Sequence, residues 1–126
     1  MILMSSRALY VIWILSIILV VACSLLPATS PLMRAVGSLP VSQKVLHFCA
    51  YTWVALLALV AIKRPSVALP TALAFILLGV ALEFGQKLVP GRGFEVRDMF
   101  INGAGVLAGT AIGILSRHMV PAVSGS

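Results

Sequence analysis

From Ala8 to Leu26 the chain reads ALYVIWILSIILVVACSLL, nineteen residues without a charge, and Pro27 follows. A helix rises 1.5 Å per residue, so this stretch is about 28 Å long and approaches the roughly 30 Å of a bilayer's hydrocarbon core. A soluble domain has no place for so long an uncharged helix. Arg7 ahead of the stretch also suits a cleaved signal peptide, and Val20-Val21-Ala22-Cys23 resembles a lipoprotein processing box that would acylate Cys23. The full spanning length favours a retained membrane helix over either.

Three more spans follow. A polar connector from Ala28 to Gln43 contains Pro31, Gly37 and Pro40 as helix breakers. The second span is expected over about 44–62, ending at Lys63, Arg64 and Pro65, a turn so tight that its flanking helices must run antiparallel. The third occupies about 66–89, with Ser66 as its expected N-cap and Pro70 in its first turns, where a missing N–H costs least. The fourth occupies about 98–116, before Arg117, His118 and a short Pro/Ser/Gly tail. The expected fold is all-α, a single four-helix transmembrane bundle over 1–126 with antiparallel up-down topology.

Composition agrees. Of 126 residues 61% are hydrophobic and only 10% charged, with a mean hydropathy of +1.14. Soluble domains carry about 25% charged residues, so too few are present here to coat a soluble particle. The formal charge of +6 does not indicate nucleic acid, because no basic stripe interleaved with aromatics exists and Lys and Arg gather beside anionic head groups. Cys23 and Cys49 fall within spans and read as small buried apolar residues, not as a metal pair or disulfide framework. No metal and no cofactor is expected; the bilayer is the expected partner.

The up-down order brings the start of span two, the end of span three and the start of span four to one membrane face. Lys44, His47 and Tyr51 share one helix face at the first place; Glu83, Gln86 and Lys87 stand at the second, Glu83 and Lys87 as an i, i+4 pair; Asp98 and Asn102 open the last span. Arg92 and Glu95 lie in the connector. All three acids fall within sixteen consecutive residues. Charges at membrane depth are costly and normally pair, so Arg92 is expected to serve Glu83 or Asp98 as counterion. Singly, each residue has an ordinary explanation: an N-cap for Asp98, snorkelling for Lys44 and Lys87, a structural hydrogen bond for His47, packing for Tyr51. Together they indicate a site. Gly105, Gly109 and Gly113 at every fourth position read as close helix packing without functional content.

Orientation is poorly determined by counting alone. With the N-terminus inside, Arg7, Lys63, Arg64 and Arg117 are cytoplasmic, while Arg34, Lys44, Lys87, Arg92 and Arg97 are outside. If the cations near the carboxylates are engaged by them, the remainder favours both termini inside.

Lys44-Val-Leu-His47-Phe48-x-x-Tyr51, Glu83-Phe84-x-Gln86, Pro90-Gly91-Arg92-x-Phe94-Glu95-x-x-Asp98 and Asn102-x-x-Gly105-x-x-x-Gly109 together resemble the VanZ-like family. The similarity runs over about 43–113. It departs at Gln43, where the family often has an acid. The resemblance implies a small bacterial multi-pass protein of the cytoplasmic membrane, related to a namesake associated with low-level teicoplanin resistance; it implies no assigned reaction.

Three mechanisms compete. Lys44, His47, Tyr51, Glu83, Gln86, Arg92, Asp98 and Asn102 would bind a lipid-linked or glycopeptide-type envelope ligand, with apolar helices taking an acyl chain. Alternatively His47 with Glu83 or Asp98 would act as acid and base, although no reaction-defining motif is present. A small transporter ranks last, because Glu83 lies near a helix end and not at the midplane.

Overall fold

The computed structural model describes residues 4–119, so the tail beyond Met119 lies outside the described residues. Five helices follow one another: α1 (Ser6–Leu25), α2 (Pro31–Gly37), α3 (Gln43–Ala61), α4 (Pro65–Gln86) and α5 (Val96–Met119). No strand occurs among the described residues. All except α2 are long and apolar enough to cross a membrane.

Local chemistry sets the boundaries. Ser5 caps α1 by accepting from the Ala8 N–H at 3.2 Å, and Pro27 cannot continue the helix. Inside α1, the Ser16 and Ser24 hydroxyls donate to the carbonyls one turn back, both at 2.7 Å, which satisfies them without water. The connector is not wholly irregular, as its proline and glycine suggested. Ser30 caps α2, Pro31 occupies its first turn and Gly37 its last position, where both residues are compatible with a helix.

Expected boundaries shift at both ends of α4 and α5, and α5 runs from Val96 to Met119 where about 98–116 is expected. The α3–α4 turn delivers Pro65, not Ser66, to the start of α4, and Arg64 holds the cap position without a side-chain bond. At its other end α4 stops at Gln86, three residues early. Lys87, Leu88 and Val89 each donate their N–H three residues back, which tightens the chain into a turn completed by Gly91 at φ +78°. That left-handed conformation costs glycine little.

Helix α3 is the centre of the bundle. Its face of Tyr51, Val54, Ala55, Ala58 and Leu59 is buried against Ala68, Ala72 and Phe75 of α4 and Val106 of α5. The glycine stripe of α5 makes the approach to α3 possible. A Cβ on Gly105 would come within 2.6 Å of the Phe48 carbonyl oxygen, one on Gly113 within 2.6 Å of Leu59 Cβ, and one on Gly109 would collide with the Thr52 carbonyl. The stripe is therefore an internal seam.

Helix α1 sits at the periphery, with only Ser24 buried. Specific contacts hold it. The Trp13 indole N–H donates to the Val54 carbonyl at 3.1 Å, the Trp53 indole N–H to the Ser16 hydroxyl at 3.0 Å, and the Trp13 ring meets Phe75 edge-on. The rest of α1, including Val11, Leu15 and Ile18, is exposed and apolar, the surface a helix offers to lipid. Cys49 is likewise exposed, contrary to the expectation of a buried residue, and both cysteines are free.

Candidate functional site

The start of α3 meets the start of α5. His47 Nδ1 lies 3.1 Å from Asn102 Oδ1, and Lys44 Nζ reaches Glu95 at 3.2 Å and Asp98 at 3.7 Å. With the amide oxygen facing the ring, Nδ1 is the donor in this contact. Asp98 stands in the first turn of α5, where the helix N-terminus favours a carboxylate, but it is inside the helix and not its cap.

Glu83 approaches from the end of α4 and is 1% exposed. Its Oε1 accepts the Glu95 backbone N–H at 2.9 Å, which fastens the connector onto α4. Tyr51, Gln86 and Asn102 are buried nearby on their own helices. Gly79 makes room for two of them: a Cβ there would stand 3.2 Å from both Asn102 Cβ and Tyr51 Cε1. Seven of the expected residues thus assemble at one end of the helices.

Arg92 is at the same end with different partners. Its Nη1 donates to the Cys23 carbonyl at 2.8 Å and the Leu26 carbonyl at 3.0 Å, not to Glu83 or Asp98. The cause lies in α1. That helix has no basic residue in its last turn, and the proline after it has no N–H, so carbonyls at its end need a donor from elsewhere. An arginine supplies charge-assisted bonds to them. The expected Glu83–Lys87 pair is also absent: Lys87 Nζ stands 4.1 Å over the Phe94 ring and 5.2 Å over Phe84, a cation–π arrangement.

The same device recurs at the other end. Arg117, at the end of α5, donates through Nη1 to the carbonyls of Leu59 and Ile62, both at 2.9 Å, and through Nη2 to that of Lys63. Helix α3, like α1, lacks a basic residue in its last turn. Neither arginine's role was visible in sequence spacing; the available signal was an apolar helix ending without a cation of its own.

Beside the polar residues lies a cavity of about 230 Å³ between α1, α2 and α3. Leu19, Val20, Met33, Val36, Leu46 and Ala50 supply apolar wall, while Gln43, His47, Tyr51 and Arg92 supply the polar part. Arg92 is half-buried there. Among the described residues its Nε and Nη2 donors have no partner and no carboxylate lies within salt-bridge distance. Gln43 and the α2 residues were not anticipated as part of a site, because α2 itself was not. Among the described residues no three His, Cys, Asp or Glu side chains gather as metal ligands.

No curated protein and no solved structure matches the chain significantly. A family model described as VanZ/LLP1 matches residues 4–117, nearly the whole chain and wider than the stretch carrying the sequence resemblance. With four membrane-length apolar helices, the match makes this a multi-pass membrane protein. The chain belongs to the VanZ/LLP1 family.

Proposed function

We propose that the protein binds an anionic, lipid-linked ligand of the bacterial cell envelope in the cavity between α1, α2 and α3, with Arg92 as the anion contact. The observation that carries this reading is the state of Arg92. A half-buried guanidinium lines an apolar cavity, lacks a carboxylate partner and keeps donors unused. A half-buried cation beside apolar walls favours an anion, and a planar fork suits phosphate or carboxylate. The apolar walls suit the first part of an acyl or prenyl chain better than a glycopeptide.

The other polar residues divide into two groups in this reading. Gln43, His47 and Tyr51 line the cavity and contact the ligand. Lys44, Glu83, Gln86, Asp98 and Asn102 hold the surrounding helix ends in register. An acid–base role for His47 has weaker support, since its hydrogen-bond partner is Asn102 and not Glu83 or Asp98.

The reading includes an up-down antiparallel order in the bacterial cytoplasmic membrane, with both termini cytoplasmic. Contacts at both ends support the order: His47 with Asn102 at one, Arg117 with Leu59 at the other. The acid-free basic end, with Lys63 and Arg64, supports the orientation. In a Cys23→Ser, Cys49→Ser background, a cysteine at Gly93 should react with impermeant maleimide in intact cells and one at Ser66 should not. The opposite labelling pattern reverses the orientation.

Ligand binding is tested by thermal shift in a neutral detergent with hexadecyl phosphate, hexadecanol or inorganic phosphate. Only hexadecyl phosphate should raise the unfolding temperature; a ligand at a hundred times its Kd stabilises by about 2.7 kcal/mol. Arg92→Gln and the cavity-filling Ala50→Phe should both abolish the shift. Equal stabilisation by hexadecanol, or a shift that survives both substitutions, refutes the reading.

A further inference from the structure

We infer that the opposite end of the bundle carries a second, separate site, a groove for one chain of an anionic phospholipid whose phosphate is held by Lys63, Arg64 and Arg117. A cavity of about 430 Å³ opens there between the end of α3, the start of α4 and the end of α5. Leu59, Ala68, Leu69 and Ile114 form its apolar wall, and Pro65, Arg117 and His118 its rim. Lys63 and Arg64 are exposed in the turn that leads directly into Pro65.

Charge selects the occupant. All three acidic side chains of the chain stand at the far end, in Glu83, Glu95 and Asp98, so no acidic side chain at this end neutralises Lys63, Arg64 and Arg117. Arg117 is oriented by the carbonyls of Leu59, Ile62 and Lys63, and its Nε remains without a partner among the described residues. Its side chain is therefore fixed beside the groove before any ligand arrives. The groove walls continue into Leu69 and Ile114, which are exposed and apolar, the surface a membrane helix offers to lipid. A free phosphate would use the cations and leave the walls empty. A phospholipid with a net negative head group uses both.

The site differs from the Arg92 cavity in position and lining residues, and it holds whether or not that cavity binds anything. Near a membrane surface each Lys or Arg contributes about fivefold to affinity for anionic lipid. Native mass spectrometry of the full chain in neutral detergent provides the test, with phosphatidylglycerol and phosphatidylcholine of identical chains and with inorganic phosphate. Phosphatidylglycerol should be retained over phosphatidylcholine, and inorganic phosphate should neither bind nor compete.

The double substitution Lys63→Gln, Arg64→Gln alters two exposed side chains and should weaken phosphatidylglycerol binding by about tenfold or more. Leu69→Trp should fill the groove and weaken binding of the same lipid, also in an Ala50→Phe background in which the other cavity is filled. Equal retention of the two lipids, competition by inorganic phosphate, or unchanged binding in the double variant overturns the proposal.

Discussion

The two ends of this bundle handle charge differently. At one end Arg34, Lys44, Lys87, Arg92 and Arg97 share space with every acidic side chain of the chain; at the other Arg7, Lys63, Arg64 and Arg117 have no acidic side chain beside them. Both ends nevertheless use an arginine for one purpose, to satisfy the last carbonyls of an apolar helix: Arg92 for α1 and Arg117 for α3. A helix that ends near lipid cannot rely on water for its orphan carbonyls. Donors borrowed from distant segments also tie the bundle together. The acids at the first end are then not counterions for Arg92; they organise Lys44 and the connector, and the Arg92 guanidinium donates to carbonyls instead.

The seam between α3 and α5 joins the two ends, and breaking it should have the largest effect. Gly109→Leu would drive a side chain into the Thr52 backbone, where overpacking costs about 1–3 kcal/mol or more. The protein should lose its cooperative thermal transition in detergent. If the transition persists within a few degrees, the helices are not as close as described.

Next in size are the arginines, which compare the ends directly. Arg117→Ala removes the donor for three carbonyls of the central helix and should cost about 2–3 kcal/mol in unfolding titrations. Arg92→Ala removes the donor for two carbonyls of the peripheral helix and should cost less, about 1–2 kcal/mol. The reverse ranking would mean that α1, not α3, organises the fold.

Glu83 sharpens the comparison at a smaller scale. Glu83→Gln retains an acceptor for the Glu95 N–H, whereas Glu83→Leu strands that donor at a cost of about 1–3 kcal/mol. Equal stability of the two variants would show that the backbone contact contributes nothing. The smallest effect belongs to Lys44→Gln. Its closer ion pair, with Glu95, is exposed to solvent and the one with Asp98 is long at 3.7 Å, so the change in stability should stay under about 1 kcal/mol. A larger loss would make Lys44 a core element of the polar end.

Much of this was legible in the sequence because membrane helices announce themselves by length. The Ala8–Leu26 stretch, the Lys63-Arg64-Pro65 turn and the glycine stripe placed four spans and their closest contact. Connectivity then collected Lys44, His47, Glu83, Asp98 and Asn102 at one end. What escaped was the direction of individual donors. Arg92 lies close to Glu83, Glu95 and Asp98 in sequence, so local charge balance assigned it to an acid. Its partners are carbonyls of Cys23 and Leu26, backbone atoms with no residue-type signature and 69 and 66 positions away. Helix α2 was obscured similarly, since Pro31 and Gly37 are breakers mid-helix but ordinary residues at its two ends.

The central claim is that Arg92 and the adjoining cavity hold an anionic amphiphile, and photolabelling tests it most directly. A hexadecyl phosphate with a diazirine near the head group should crosslink to cavity residues such as Val36, Leu46 and Ala50. Arg92→Gln should suppress that labelling, and the same probe with a neutral head group should not reproduce it. Labelling spread over lipid-facing positions such as Leu107 and Leu115, unchanged by Arg92→Gln, would contradict the account.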